Sequence, residues 1–199
     1  MRPVYWILLP ILIAGNVWLF TDLFARPMLT LRVFGIGQGR PVLLQTPSGR
    51  TLLINAGPDA SILRDLGTAL PMWQRSLDAV LLTSSAHSAT GGMTDVESRY
   101  DIRRHIHSAV RGDRLSLGDG VTADVLWPPT TETPIKGAAA GLVVRISYGS
   151  TSFYIENDLP PRAKAWLETL SPENPHDTRV SSSTPVRTYV SDGNAVSLK

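Results

Sequence analysis

The sequence predicts a mixed α+β domain, an αβ sandwich with helices on the outside, preceded by one N-terminal transmembrane helix. Two observations lead to this fold class. Strand-like segments occur in two meander groups, each followed by a helical segment, which is typical of a mixed sheet covered by helices. Ahead of them, residues 4–20 form an apolar segment without a charged side chain. We therefore expect a membrane anchor and linker over residues 1–27 and one domain over residues 28–199.

Composition narrows the class of protein. The chain has 199 residues, of which 43% are hydrophobic and 18% are charged, as in a globular protein with a substantial core. The formal net charge is only +2, and Lys and Arg are scattered, so we do not expect a nucleic-acid-binding surface. Cysteine is absent, which excludes disulfides and thiolate metal ligands.

The N-terminal apolar segment has the length of a short transmembrane helix. Residues 4–20 number 17 and lie between Arg2 and Asp22. At about 1.5 Å per residue this is near the minimum for a hydrocarbon core of about 30 Å. Two tryptophans lie near its ends, where amphipathic rings favour the membrane interface, and a proline is tolerated inside such a helix. The predicted anchor residues are Val4, Trp6, Pro10, Trp18 and Phe20.

Two other interpretations of residues 4–20 stay open, a cleaved signal peptide and a buried core helix. Against a signal peptide, the following TDLFARP lacks a pair of small residues for cleavage. Arginines after the segment, at Arg26, Arg32 and Arg40, favour a cytoplasmic domain. A short tail with one arginine ahead of an apolar segment resembles a signal anchor instead. We expect a single-pass membrane protein with its domain on the exported side.

The pattern along the domain predicts its elements. Alternating or continuous apolar residues mark the strands, Gly and Pro mark the turns, and Asp59 is placed to cap the first helix. Predicted strands cover residues 28–34, 41–45, 51–55, 77–83, 102–110, 121–127, 142–147, 152–155 and 186–190. Predicted helices cover residues 60–70, 93–99 and 160–170. Residues 111–120 are read as a polar hairpin, and residues 128–140 and 171–185 as loops.

Five stretches resemble one known family. They are FGIGQG at residues 34–39, LLQTPSGRTLLINAGPD at 43–59, LLTSSAHSATGGM at 81–93, LVVRISYGSTSFYIENDL at 142–159 and PHDTRVSSS at 175–183. Their order and spacing resemble the ComEC branch of the metallo-β-lactamase superfamily, the soluble domain of bacterial competence channels. The resemblance covers about residues 28–192. It implies an αββα sandwich, and in active members a site for two metal ions.

This sequence differs from the family pattern mainly at the positions of the metal ligands. In the family, residues 81–93 would read Leu-Thr-His-x-His-x-Asp-His-x-Gly-Gly, and its four ligand positions correspond to Ser84, Ala86, Ser88 and Ala89. Other family positions are also replaced: Gly35 and Arg40 stand where the family carries aspartates, and Asn55-Ala56 stands for Asp-Gly. At Asp158 and His176 the residue type still matches a metal ligand of the family. A hydrolytic zinc needs about three protein ligands and an open position, so we expect neither a bound metal cofactor nor hydrolase activity.

Other polar residues leave weaker alternatives. His87 could turn towards Asp158 and His176 to form a single metal site, although a solvated histidine is the simpler reading. His105 and His107 would share one strand face as a possible metal pair, or lie on an exposed sheet surface. The serines Ser84, Ser85 and Ser88 lack the Gly-x-Ser-x-Gly context of a nucleophile. Gly37 and Gly39 indicate a tight turn near the former pocket, because the spacing of a phosphate-binding loop is incomplete.

Three functional hypotheses follow. The first is a non-catalytic, membrane-anchored accessory subunit whose degenerate domain contacts other integral membrane proteins. The second is a metal-dependent hydrolase or nuclease of the ComEC type, which would contain stoichiometric zinc or manganese. The third is small-ligand binding in the emptied pocket, testable by thermal shift with nucleotides and phosphates. The loss of ligands together with a retained scaffold favours the first hypothesis.

Overall fold

Two β-sheets, packed face to face, form the centre of the computed structural model. The structure describes residues 10, 12–13, 28–36, 39–106, 109–127, 141–156, 159, 165, 177–181 and 185–199. The strands are β1 Leu29–Val33, β2 Val42–Gln45, β3 Thr51–Ile54, β4 Ser76–Leu77, β5 Ala79–Leu81, β6 Asp101–Ile102, β7 His105–Ile106, β8 Arg114–Gly118, β9 Val121–Trp127, β10 Val143–Tyr148, β11 Thr151–Glu156, β12 Asp177–Ser181, β13 Arg187–Ser191 and β14 Val196–Leu198. The helices are α1 Ser61–Ala69, α2 His87–Thr90 and α3 Met93–Arg99.

Parallel and antiparallel pairs occur together in the sheets. Within the described residues, one sheet has seven strands in the order β14-β13-β1-β2-β3-β5-β7, and a second has five in the order β12-β11-β10-β9-β8. A short parallel pair, β4 and β6, lies apart from them. The pairs β3–β5, β5–β7 and β11–β12 are parallel, whereas the hairpin pairs are antiparallel. The predicted mixed α+β class is therefore confirmed.

The main core lies between the two large sheets. Alternate residues of each strand point inward, and the first strand shows this in its alternation of buried and half-buried positions. Leu31 and Leu44 of the seven-stranded sheet belong to the same buried cluster as Ile146 and Phe153 of the five-stranded sheet. Because the side-chain period of a strand is two, this burial fixes which residues face outward.

Helices α1 and α3 cover the outer face of the seven-stranded sheet. They bury Ile62, Leu66, Met93 and Val96 in a second cluster with residues of that sheet, such as Leu53. Helix α1 follows an apolar stripe at helical spacing, as the sequence predicts. Three layers of the predicted αββα sandwich are thus present in the described part of the chain. The helix predicted over residues 160–170 lies outside it, apart from Ala165, which is helical and exposed.

A row of polar residues crosses the outer face of the five-stranded sheet. Its members are directly paired across neighbouring strands, one on each strand: Arg114, Asp124, Arg145, Tyr154 and Arg179. Asp124 is buried and accepts hydrogen bonds from Arg114 Nε and, at 3.0 Å, from Arg145 Nη2. We call this set the cross-strand row.

Strand direction gives the seven-stranded sheet two distinct ends. Strands β1, β3, β5 and β7 run the same way, because β1 and β3 are each antiparallel to β2 and because β3, β5 and β7 pair in parallel. We call the end where they begin the starting end. Met28, the turn over residues 46–50 and the segment over residues 71–75 lie there. The loop after β5 lies at the opposite end.

Most predicted elements are present with small changes of boundary. Helix α3 and strand β9 occupy the predicted residues 93–99 and 121–127. The turn over residues 46–50 is confirmed, with Gly49 at φ 82°. The predicted cap at Asp59 takes a modified form, since α1 begins at Ser61 and the Asp59 carboxylate accepts a hydrogen bond from the Ser61 amide at 2.9 Å.

Two predicted long strands are broken in the structure. Residues 77–83 divide into β4 and β5, because the carboxylate of Asp78 accepts a hydrogen bond from the Thr51 amide at 2.9 Å. Residues 102–110 contain only the short strands β6 and β7 in their described part. Between these strands, Arg103 turns outward to form an ion pair with Asp78 at 2.8 Å.

Three strands were missed or placed in loops. The predicted polar hairpin over residues 111–120 contains β8, and the predicted loop over residues 171–185 contains β12. Strand β14 follows the segment predicted to be the last strand. Each lies at an edge of its sheet and pairs with a single neighbouring strand. A short strand with one buried face is sufficient to form such an edge. Residues 128–140, predicted to be a loop, lie outside the described residues.

The predicted anchor lies almost entirely outside the described residues. Of its named residues only Pro10 is described, and it is helical and exposed, as are the neighbouring Leu12 and Ile13. Among the residues that the structure describes, no helix has the length and apolar character needed to cross a bilayer.

Candidate functional site

The candidate site is the loop that leaves β5, and a buried asparagine organises its base. Asn55 follows β3, is fully buried and has a φ of 62°, a left-handed conformation that asparagine tolerates. Its side-chain oxygen accepts hydrogen bonds from the Thr83 amide at 2.9 Å and the Thr83 hydroxyl at 3.0 Å. Its side-chain nitrogen donates to the Gly39 carbonyl at 3.0 Å. One side chain thus joins three segments of the site.

Sequence reasoning missed this role of Asn55. The residue was considered only as a replacement for a family aspartate. The amide supplies both a donor and an acceptor, whereas an ionised carboxylate could only accept. An asparagine followed by Ala-Gly-Pro at the end of an apolar strand is the signal that could have indicated a left-handed position.

The first turn and the loop are in direct backbone contact. A Cβ atom on Gly39 would lie 1.7 Å from the Ser88 carbonyl oxygen, so no side chain fits there. Next to this contact, the Ala56 amide donates to the Ala89 carbonyl at 2.7 Å. Gly39 lies in a turn, as the sequence predicts, while Gly37 lies outside the described residues. Main-chain atoms fill the space between these two segments.

The glycine pair after the loop has a similar role. A Cβ atom on Gly91 would lie 2.1 Å from the Pro58 carbonyl oxygen. One on Gly92 would lie 2.5 Å from the Ala56 carbonyl oxygen. The Gly92 amide donates to the Gly57 carbonyl at 2.9 Å. The loop therefore enters α3 directly against the chain that follows β3, which only glycine permits.

The four family ligand positions are occupied by small side chains in this packed loop. Ser84 is buried, and its hydroxyl accepts a hydrogen bond from the Ala86 amide at 3.0 Å. Ala86 precedes α2, and its carbonyl accepts from the Ala89 amide at 2.9 Å. Ala89 is buried, and Ser88 is half-buried. The Ser84 hydroxyl is therefore used in a hydrogen bond of the local turn, and the alanine side chains have no atom that could bind a metal.

The ring of His87 lies beside the glycine pair. The side chain is exposed, and its Cε1 atom would lie 2.7 Å from a Cβ atom on Gly91, which places the ring over that glycine. Nearby, hydrogen bonds from the hydroxyl and then the amide of Ser61 hold the pKa of Asp59 below its usual range. The two other members of the predicted single metal site, Asp158 and His176, lie outside the described residues.

Of the other predicted histidine pair, the structure describes only His105. His105 lies on β7 with its Nδ1 atom 3.7 Å from the Glu97 carboxylate of α3, and its side chain is 34% exposed. His107 lies outside the described residues, and β7 ends at Ile106. Within the described residues, no three His, Cys, Asp or Glu side chains are grouped so that they could hold a metal ion.

A cavity of about 180 Å³ lies between the sheets, away from the loop. It is formed by apolar side chains of both sheets, including Ile106, Leu115 and Ala123, with Arg104 and Asp113 among its lining residues. None of its lining residues belongs to residues 83–93. Leu81, the last residue of β5, also lines it, so the cavity borders the strand and not the loop that follows.

Comparisons with known proteins were made for the whole chain. No protein-family model matches it, and no curated protein matches it. Among solved structures, the chain is similar to the metallo-β-lactamase fold protein YhfI from Bacillus subtilis, with 16% identity and a TM-score of 0.48 over 65% of this chain and 61% of that one. It is also similar to a metallo-β-lactamase with a HARLDQ motif from Cronobacter sakazakii, with 15% identity and a TM-score of 0.45 over 65% and 58% of the two chains.

A third similar structure is a β-lactamase from Chitinophaga pinensis, with 13% identity and a TM-score of 0.46 over 75% of this chain and 71% of that one. The chain thus spans about three fifths of the length of the first two structures, at 61% and 58%. Identities and TM-scores this low assign no activity to the chain. The similar structures include metallo-β-lactamase-fold proteins, the superfamily that the sequence motifs resemble.

Proposed function

We propose that this chain is a non-catalytic, membrane-anchored accessory subunit. In this proposal, a degenerate ComEC-type metallo-β-lactamase domain contacts other integral membrane proteins of a larger assembly in the bacterial inner membrane. The observation that carries the proposal is the backbone contact between Gly39 and Ser88 at the family's metal position. It packs the main chain of the first turn against the main chain of the loop that, by the resemblance, would carry the metal ligands.

The chemistry of the loop supports a structural use of this region. Buried carboxylates and imidazoles are costly when no metal neutralises or coordinates them. The serine and alanine at Ser84 and Ala89 avoid that cost, and both are buried. Asn55 then supplies neutral hydrogen bonds across the former pocket in place of charged ones. The arrangement stabilises the sandwich, and the side chains at Ser84, Ala86, Ser88 and Ala89 include no carboxylate or imidazole that could activate a water molecule.

The membrane part of the proposal has separate support. Leu12 and Ile13 expose 65% and 53% of their surface. They belong to the uncharged segment over residues 4–20, whose length and terminal tryptophans suit a bilayer. Large aliphatic side chains in such a segment are stable against lipid or against the helices of partner proteins. A single anchor would keep the domain beside those partners.

Affinity purification from native membranes in mild detergent tests this function. We expect the full chain to elute in a discrete larger complex with a stoichiometric integral membrane protein. Mass spectrometry of the same sample should find fewer than about one zinc or manganese ion in ten chains, since a catalytic site would bind its metal in most molecules. A free monomer without a companion would refute the accessory role. Stoichiometric metal with metal-dependent cleavage of nucleic acid would instead support the hydrolase hypothesis.

A further inference from the structure

We infer that the starting end of the seven-stranded sheet rests on the bilayer surface, with Met72 and Trp73 in the interfacial region. This inference depends on the membrane anchor in the proposed function, and it adds the orientation of the domain. It assigns to the turn after α1 a lipid-binding role that is separate from the candidate site. The occupant of this surface is the phospholipid headgroup layer.

The turn after α1 displays two large apolar side chains to solvent. Met72 is 85% exposed and Trp73 is 82% exposed, whereas Trp127 is 5% exposed. Tryptophan at a membrane–water interface places its apolar ring among the lipid chains and its N–H group among the headgroups. Two exposed side chains of this size present a large apolar area that water solvates poorly.

The backbone holds this pair in place. The Leu70 amide donates to the Leu66 carbonyl at 2.8 Å, and the Gln74 amide donates to the Pro71 carbonyl at 3.0 Å. On the far side of the turn, the Asp101 amide donates to the Arg75 carbonyl at 2.8 Å. The turn is thus fixed to α1 at one side and to β6 at the other. Insertion of the pair into lipid would need no unfolding of the domain.

The chain enters the domain at the same end. Met28 immediately precedes β1, is 46% exposed and lies at the starting end, as does the turn after α1. Strands β1 and β5 are separated by three strand spacings, which correspond to about 14 Å across the sheet. The exposed apolar groups of the turn after α1 therefore lie at the same end of the sheet as Met28, the first residue of the described domain.

Covalent geometry limits how far this end can lie from the bilayer. Seven residues, 21–27, connect the predicted anchor to Met28. At a maximum of about 3.5 Å per residue, they reach about 25 Å. A tether of this length holds the end at a high effective concentration beside the headgroups, so a weak contact by two side chains is sufficient. The adjacent exposed Arg75 can extend its guanidinium to lipid phosphates.

The chain offers a clean test, because it contains no cysteine. Single cysteines are introduced into the full-length protein by Trp73→Cys, Ile13→Cys and Val186→Cys, and each is labelled with an environment-sensitive fluorophore. Val186 is the matched control, since it is 65% exposed and lies at the opposite end, beside Gly35. Each protein is reconstituted into vesicles of phosphatidylethanolamine and phosphatidylglycerol that carry a spin-labelled lipid quencher near the headgroups or deep in the chains.

The three positions separate this inference from the proposed anchor. We expect the Trp73→Cys label to lose most of its emission to the shallow quencher, the Ile13→Cys label to the deep quencher, and the Val186→Cys label to neither. If Ile13→Cys is quenched while Trp73→Cys behaves like Val186→Cys, the anchor stands and the orientation is refuted. If Ile13→Cys is not quenched, the membrane anchor is refuted, and the tethered orientation with it. Met72→Cys provides a second probe of the same turn and should follow Trp73→Cys.

Discussion

Asn55 binds both the amide and the hydroxyl of Thr83 through one side-chain oxygen, at 2.9 and 3.0 Å. The two residues follow the neighbouring parallel strands β3 and β5. The contact joins those strand ends with a neutral hydrogen-bond network. A single buried side chain thereby helps to hold the sheet together.

Replacing Asn55 by alanine should destabilise the domain strongly. The change leaves two buried donors of Thr83 without an acceptor and places alanine at a left-handed φ. Each unsatisfied buried group costs about 1–3 kcal/mol, so a total of about 3–5 kcal/mol is expected. The midpoint of urea unfolding measures it. Asn194→Ala, at an exposed turn position, is the control. Equal midpoints for the two variants would contradict the role of Asn55.

Gly39→Ala tests the backbone contact at the candidate site. The added Cβ would overlap the Ser88 carbonyl oxygen, so we expect a loss of about 2–3 kcal/mol in the free energy of unfolding. Gly67→Ala is the matched control, since that helical glycine has open space around its Cβ position and should gain about 0.5–1 kcal/mol. Chemical denaturation of both variants checks the opposite signs. A neutral effect of Gly39→Ala would show that the two segments are not packed together.

The Asp124 carboxylate should make stability depend on pH in the acid range. Burial raises its pKa, but hydrogen bonds from Arg114 and Arg145 outweigh burial, and the net pKa lies below the usual value. The pKa of the Asp124 carboxyl is thus lower in the folded state than in the unfolded state. The carboxylate therefore contributes its full stabilisation above the unfolded-state pKa of about 3.9, and this stabilisation is lost as the pH falls through the folded-state pKa.

The variant Asp124→Asn measures this contribution. At neutral pH we expect it to cost about 2 kcal/mol, because two charge-assisted hydrogen bonds are weakened. The difference from the wild-type free energy of unfolding should shrink below about pH 4. Asp101→Asn, on the exposed surface, should show no such trend. A difference that stays constant down to pH 2 would exclude titration of Asp124 as its source.

Filling the cavity between the sheets should stabilise the protein. Ala123 lines the cavity of about 180 Å³ and lies on the inner face of β9. Valine there suits a strand and adds buried apolar volume, so Ala123→Val should gain about 0.5–1.5 kcal/mol. The same change at Ala89, which is buried in the packed loop, should be destabilising. The unfolding midpoints of the two variants, compared with that of the wild type, show whether the cavity can accept the larger side chain.

Zinc should leave the thermal stability of the chain unchanged. A ligand that binds the folded state raises the melting temperature, and the positions that the resemblance assigns to four metal ligands carry Ser84, Ala86, Ser88 and Ala89. We expect identical melting curves for the wild type and His87→Ala, with or without zinc. A zinc-dependent increase in the wild type that His87→Ala abolishes would instead indicate a single metal site that includes this histidine.

Local patterns in the sequence were sufficient for the strongly periodic elements. Helix α3 and strand β9 could be predicted because each has a clear apolar face and ends at a turn or a change of pattern. Strand β12 could not be predicted in this way, because only Val180 of its five residues is buried. Its existence depends on parallel pairing with β11, a tertiary contact that leaves little trace in a polar sequence.

The candidate site, too, could be predicted from the sequence only in part. The strand–loop–helix junction could be predicted, because the glycine pair marks a close approach of two backbones. The function of Asn55 could not be derived, since its three hydrogen bonds join residues that are distant in sequence. The break at Asp78 has the same origin, because the Thr51 amide that its carboxylate binds belongs to another strand. Side chains that bond across strands are the part that one-dimensional patterns leave undetermined.

The cross-strand row gives the five-stranded sheet a means of rejecting wrong alignments during folding. A slip of one residue in β10 would turn Arg145 towards Phe153 and leave a cation in an apolar core. A slip of two residues would keep the faces correct but separate Arg145 from Asp124, leaving the carboxylate with one partner in place of two. Only the native alignment places the anion between both cations. In a sheet rich in interchangeable valine and isoleucine, these charges distinguish one pairing from its neighbours.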